Sequence, residues 1–139
     1  MPLDTRLVIV LSSALTRAEA VNAAAVLGLA AAAYTSDLGA TAVDGDGRRY
    51  GALNRHPIPL LVAPPGDLAM LHHKAEADPA LTVTAFTETA RRSRDYDDYL
   101  ARLVGTRSAE VAYAWLAVCG PRNRVTAATK RLVLYGAAS

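Results

Sequence analysis

The chain has 139 residues, 52% of them hydrophobic, which suffices for one domain with a full core and is short for two. Its 15 Lys+Arg against 13 Asp+Glu leave a net charge of +2, too little to hold nucleic acid by bulk attraction. Cys119 is the only cysteine, which excludes an intramolecular disulfide and a cysteine-based zinc site and fits a reducing, cytoplasmic setting.

Leu7-Val8-Ile9-Val10-Leu11 is apolar and β-branched without alternation, and so reads as a central strand covered on both faces. Thr16-x-x-Glu19 is a capping box that starts a helix at about Arg17. No side chain from Ala23 to Ala33 is polar, yet the run falls short of the roughly 20 residues that cross a bilayer. No membrane role is therefore expected. The helix should be buried against the first strand's sheet or a neighbouring subunit, with Gly28 admitting a close backbone. Arg6, the run Leu7 to Leu15 and Ala18-Glu19-Ala20 imitate a signal peptide, but Asp4 and the interrupting serines break that pattern.

The first helix is expected to end over Ser36 to Gly39. Ala40 to Val43 and Arg48 to Leu53 then flank Asp44-Gly45-Asp46-Gly47, which predicts a hairpin or an irregular excursion. Asp44 and Asp46 lack the longer ligand series of a calcium loop, so no metal is expected. His56-Pro57-Ile58-Pro59 must be extended, and Leu60 to Ala63 continues as a second buried strand. Asp67 is read as the cap of an amphipathic helix through Leu68, Leu71 and Ala75, which Asp78-Pro79 stops. His72 and His73 diverge by about 100° around that helix and cannot easily share a metal, so one is read as packed and one as solvated.

Leu81 to Phe86 alternates as a strand. The loop Thr87 to Arg94 gathers Glu88, Arg91, Arg92, Ser93 and Arg94 just past its C-terminal end, where functional groups collect in sheets with helical crossovers. Asp95 should cap a short helix through Tyr96, Tyr99, Leu100 and Leu103 that ends at Gly105, its tyrosines forming the edge of the core. Val111 to Cys119 reads as a strand with Tyr113 and Trp115 on one face, and Gly120-Pro121 breaks it. Asn123 is read as the cap of a last helix through Val125, Ala128 and Leu132. Leu132 to Tyr135 then closes the chain as a short strand.

The ordered set resembles the peptidyl-tRNA hydrolase II fold, and more closely an uncharacterised bacterial family that shares it. The resemblance rests on Arg6-Leu7-Val8-Ile9-Val10-Leu11 leading into Asn22-Ala23-Ala24, on Ile58-Pro59-Leu60-Leu61-Val62-Ala63-Pro64-Pro65 and on Leu81-Thr82-Val83-Thr84-Ala85-Phe86. Ala117-Val118-Cys119-Gly120-Pro121 and Lys130-Arg131-Leu132-Val133-Leu134-Tyr135 complete it. It implies a three-layer α/β sandwich with a small mixed, mostly parallel sheet flanked by helices, and often a homodimer. Hydrolases of that fold carry lysine early in the first helix, where this chain reads Thr16-Arg17-Ala18-Glu19-Ala20-Val21. They also carry an acid, followed by a glycine, an arginine and a threonine, in the loop after the strand that corresponds to Leu81 to Phe86. Glu88 falls at the acid, Ala90 at the glycine, Arg91 at the arginine and Arg92 at the threonine.

Ester or amide hydrolysis needs a base to activate water and a donor for the oxyanion. Glu88 is the candidate base, and Arg91 and Arg92 are the candidate donors to a phosphate or to developing negative charge. Ser12, Ser13, Thr16, Glu19, Ser93 and Gly120 are the candidate ligand-binding set around them. No Ser-His-Asp arrangement is marked by a nucleophile elbow, and Cys119 in its apolar strand is expected to be inert. Two readings follow, neither using a cofactor. The favoured one is a non-hydrolase that binds a small or nucleotide-like ligand, or a partner, in the equivalent cleft. The other is a hydrolase of peptidyl-tRNA or another acyl ester with Glu88 as base. A basic nucleic-acid module built from Arg91 to Arg94, Arg122, Arg124, Lys130 and Arg131 comes third, because Asp95, Asp97 and Asp98 oppose it.

Overall fold

The structure, a computed structural model, describes residues 4–35 and 37–137. In chain order its main elements are β1 (Thr5–Ser12), α1 (Arg17–Thr35), β2 (Ala42–Val43), β3 (Arg49–Tyr50), β4 (Leu60–Ala63), α2 (Pro65–Glu76) and β5 (Thr82–Thr87). They continue with α3 (Glu88–Arg92), α4 (Tyr96–Val104), β6 (Tyr113–Pro121), α5 (Arg122–Thr129) and β7 (Val133–Leu134). Ser36, which the sequence places at the end of α1, lies outside the described residues.

β1 is the middle strand of a five-stranded sheet ordered β5-β6-β1-β4-β7. Every residue from Leu7 to Ser12 is buried, as the unalternating apolar run requires of a strand covered on both faces. Leu7, Ile9 and Leu11 point toward Ala20, Ala23, Leu27 and Ala31 of α1 on one side. Val8 and Val10 point toward Leu68, Leu71 and Ala75 of α2 and Val125 of α5 on the other. The result is an α/β domain of three layers, with α1 below a mixed sheet and α2 and α5 above it. The expectation of a mostly parallel sheet does not hold. Only β1 and β4 run parallel, whereas β6 pairs antiparallel with both β1 and β5, and β7 with β4. A parallel pair needs a long crossover, and α1 with the excursion to residue 59 supplies one, while the strands from β5 onward are joined in ways that let neighbours run oppositely.

Four local expectations change. Asp67 does not cap α2, because the helix begins two residues earlier with Pro65 in its first turn and Pro64 at the cap position. Asn123 likewise sits inside α5, whose cap position is Pro121. The stretch after β5 is not an open loop but the single-turn helix α3, capped by Thr87 Oγ1, which accepts from the Ala90 N–H at 3.1 Å. Tyr113 and Trp115 do not share a face. Trp115 joins the α1 side and Tyr113 packs against the α2 side, because the β5–β6 register shifts at Phe86 and Thr87.

Gly120, read from the sequence as a ligand residue, pairs with Arg6, whereas Ser12 follows Leu11, which pairs with Trp115. At about 3.3 Å per residue the two ends of this ladder are roughly 20 Å apart, so Gly120 lies at the opposite edge of the sheet from the candidate site.

Candidate functional site

β1, β4 and β5 all end at one edge of the sheet, from which α1, α2 and α3 depart. Ser12, Ala63 and Thr87 mark that edge, and the Ser13 N–H donating to the Ala63 carbonyl at 2.8 Å ties two of the strand ends together. This is the edge where α/β sheets place their ligands.

The capping box closes as its sequence requires: the Glu19 N–H donates to Thr16 Oγ1 at 3.2 Å, and the Thr16 N–H donates to Glu19 Oε1 at 2.8 Å. The second carboxylate oxygen of Glu19 accepts from Arg91 Nη1. Arg91 Nε in turn donates to Glu88 Oε2 at 3.0 Å, and Arg92 Nε approaches the same oxygen at 4.0 Å. Thr16, Glu19, Arg91, Glu88 and Arg92 therefore form one chain of contacts from the start of α1 to α3. Glu88 is paired through one of its two carboxylate oxygens, Oε2. Its carboxylate is engaged by Arg91, whose guanidinium is held at its other end by Glu19. The Glu88 side chain is 26% exposed, along a polar groove of about 470 Å³ with Thr89, Arg92, Arg102, Thr106 and Glu110.

The Thr16 backbone N–H, then its hydroxyl and the Arg91 charge, hold the Glu19 carboxyl below the usual carboxylate range, against the effect of burial. A carboxyl with a lower pKa folded than unfolded contributes stability that is present above the unfolded value and lost as pH falls through the folded one. We expect Glu19→Gln to flatten the acid limb of thermal midpoint against pH between those two values. An acid limb identical to that of the wild-type chain would show that this carboxylate is not linked to folding.

The other residues singled out by the sequence do not join this chain. Ser12 is buried, and its hydroxyl accepts from the Ala14 N–H at 3.1 Å, which fixes the β1–α1 turn. Ser13 is exposed beside it. Ser93 donates its hydroxyl proton to the Thr89 carbonyl at 2.6 Å and lines a separate cleft of about 520 Å³. Val26 and Ala30 of α1 and Thr84 and Phe86 of β5 form the floor of that cleft, and Tyr96 and Tyr99 of α4 form its wall. The cleft arises because α4 docks through α3 at the β5 edge, with Asp95 Oδ1 capping the helix by accepting from the Asp98 N–H at 2.8 Å. Tyr96 is 71% exposed rather than at the edge of a core, and its ring meets that of Tyr99 edge-on with centroids 5.7 Å apart.

Sequence reasoning passed over this cleft because its lining comes from α1, β5 and α4. The available signal was the Tyr96–Tyr99 spacing of three, which puts two aromatics on one helical side. His72 is the packed histidine of its pair: it stacks on Tyr113 with centroids 4.6 Å apart, and its Nδ1 lies 3.2 Å from the tyrosine hydroxyl. Burial, then the charge of Glu76, pushes the Tyr113 phenol up. Asp44 and Asp46 serve the hairpin turn. Asp44 Oδ1 accepts from the Asp46 and Arg48 N–H groups at 3.0 and 2.9 Å, and Oδ2 from the Tyr50 hydroxyl at 2.8 Å. Among the described residues no cluster of three His, Cys, Asp or Glu could hold a metal ion. Burial pushes the Cys119 thiol up, away from thiolate chemistry. No described helix is long and apolar enough to cross a membrane.

Compared with known proteins, the fold is similar to that of a protein of unknown function, Atu0240, from Agrobacterium tumefaciens strain C58. Its structure matches with a TM-score of 0.84 at 20% sequence identity, over 97% of this chain and 100% of that one. At that identity the likeness shows the fold alone. No curated protein matches the chain. The model of the DUF2000 family, proteins of unknown function, matches residues 5–136, so the chain belongs to that family.

Proposed function

We propose that this chain is a binding protein rather than a hydrolase, and that its ligand is a flat, largely apolar ring system bearing N–H donors, such as an aminopurine nucleoside. The cleft between α1, β5 and α4 carries this reading. Its volume, about 520 Å³, is that of a small-molecule site, and its floor of Val26, Ala30 and Phe86 with a tyrosine wall suits an aromatic ring. Two of the polar groups that line it, Ser93 and Asp95, are acceptors. The Ser93 hydroxyl proton is committed to the Thr89 carbonyl, so Ser93 offers lone pairs, and Asp95 as a carboxylate only accepts. A ligand that satisfies both must donate.

Against hydrolysis stands the Glu19–Arg91–Glu88 chain. Oε2 of the candidate base already accepts from a guanidinium that a second carboxylate holds, which leaves Oε1 alone to take a proton from water. The likeness to peptidyl-tRNA hydrolase II rests on the order of sequence segments, and the lysine of that constellation is replaced by the capping pair Thr16 and Glu19.

The test is a titration of the isotope-labelled chain with adenosine, followed by amide chemical shifts. We expect shifts confined to residues 26–30, 84–86 and 90–99, and their loss in Ala30→Trp, whose indole fills the floor. Shifts elsewhere, or none at millimolar adenosine, would refute the ligand class. Turnover of peptidyl-tRNA by the wild-type chain that disappears in Glu88→Gln would refute the binding reading itself.

A further inference from the structure

Residues 94–111, which run from α3 through α4 and the 3₁₀ turn Ser108–Glu110 toward β6, rest on the domain without being bonded to it. Among the described residues, none of them makes a hydrogen bond or an ion pair outside the segment. None is buried either; Tyr99, Leu103, Thr106 and Val111 are half-buried, and most of the others are exposed. Within the segment the polar groups satisfy one another. The Asp98 carboxylate accepts from the Arg94 N–H at 3.0 Å and from Arg102 Nε at 3.1 Å, and the Thr106 hydroxyl donates to the Arg102 carbonyl at 2.9 Å. Such a piece comes away as one unit, because lifting it breaks side-chain packing alone.

The fixed points at its two ends are both on α3. Ser93 donates its hydroxyl to the Thr89 carbonyl at 2.6 Å and its N–H to the Ala90 carbonyl at 3.2 Å, and the Ala112 carbonyl accepts from the Glu88 N–H at 2.8 Å. α3 has five residues and is about 7 Å long, so the two attachments lie near each other and define a short hinge line. The backbone at Ser93 and at Val111 is extended rather than helical, and such positions at the ends of elements are where hinges absorb their rotation.

The space beneath the segment is hollow. It forms one wall of three cavities and the domain forms the other. Tyr96 and Tyr99 face Phe86 across about 520 Å³, Tyr99 and Leu103 face His72 and Tyr113 across about 310 Å³, and Arg102 and Thr106 face Glu88 across about 470 Å³. Elements packed permanently on a core do not leave such voids. Tyr99 and Ala85 line both of the first two, so Tyr99 is the partition between them.

We propose that residues 94–111 are a lid hinged on α3, which lifts to admit a ligand to the cleft between α1, β5 and α4 and closes to return the tyrosine wall over it. For what the lid encloses this rests on the binding reading above, whereas the hinge rests on the bonding of the segment alone. Lifting Tyr99 also joins the smaller cavity to the cleft and so widens the entrance.

Amide hydrogen exchange of the full chain tests this. A nine-residue helix lifted off its support does not persist in water, so its amides exchange whenever the lid is open. We expect the amides of residues 100–106 to share one protection factor, about 100-fold below those of β1 and β6. Leu103→Ala removes a half-buried side chain outside the ligand cleft, and should speed exchange of this set roughly tenfold without changing the strands. Adenosine at millimolar concentration should slow every amide of the set by the same factor. Protection equal to that of β6, protection that changes steadily along α4, or exchange that Leu103→Ala does not move would overturn the lid. So would adenosine that shifts the amides of the cleft floor without slowing the segment, a result that leaves the binding reading intact. Adenosine without effect, beside a common protection factor that responds to Leu103→Ala as expected, refutes the ligand class and supports the lid.

Discussion

Trp115→Ala should be the most damaging single truncation in the molecule. Trp115 is 2% exposed near the start of β6, paired with Leu11 of β1 on one side and with Phe86 of β5 on the other. Its ring stacks on Phe86 with centroids 4.4 Å apart and planes 17° from parallel, and it closes the α1 side of the core over Ala20 and Ala23. Removing a buried Trp side chain costs about 3–5 kcal/mol, which for a chain of this length lowers the thermal midpoint by roughly 10–15 °C. Urea unfolding followed by circular dichroism should show it as a lower midpoint at an unchanged slope. Trp115→Phe should lose distinctly less. It keeps a ring for Phe86 and removes an indole N–H that is buried without a hydrogen-bond partner, itself a cost of about 1–3 kcal/mol. Equal losses in the two variants would mean that the ring stack does not carry the stabilisation assigned to it.

What the sequence makes visible follows the range of the interactions. The β1 strand and the start of α1 are legible because their causes are local: an unbroken apolar run that is buried throughout, and a cap whose partners are three positions apart. The direction of β6 is not local. It is set where Leu11 meets Trp115, far along the chain, and nothing in the alternation of either strand distinguishes parallel from antiparallel pairing. The same division runs through the site. Glu88 and Arg91 are neighbours on one helical turn and are found by reading the loop, but the second carboxylate that holds Arg91 comes from Glu19, 72 positions earlier. Glu19 thus has two roles, closing a helix end with Thr16 and holding Arg91. The cleft between α1, β5 and α4 is hidden in the sequence for a related reason. Val26 and Ala30 look like core residues there, and only the seating of α4 beyond the β5 edge turns that part of α1 into a cleft floor.

Gly120→Ala separates a structural role from a ligand role at a position where the sequence suggested the latter. A Cβ built on Gly120 would lie 2.7 Å from the Ala80 carbonyl oxygen and 2.8 Å from Leu81 Cδ2, where the chain enters β5. The first of these atoms is backbone and cannot swing aside, so one added methyl must push β5 away from β6 or twist the end of the ladder. Overpacking of this kind costs about 1–3 kcal/mol. The control is Gly66→Ala. Gly66 lies in the first turn of α2, where an added methyl would have nothing within 4 Å, and replacing a helical glycine there should stabilise by roughly 0.5–1 kcal/mol. One methyl group added at each of two glycines is thus expected to move the urea midpoint in opposite directions. Because Gly120 sits at the far edge of the sheet, the folded fraction of Gly120→Ala should bind adenosine as the wild-type chain does. A variant that keeps its full stability but loses binding would return Gly120 to the ligand site and overturn the assignment of this glycine to strand packing.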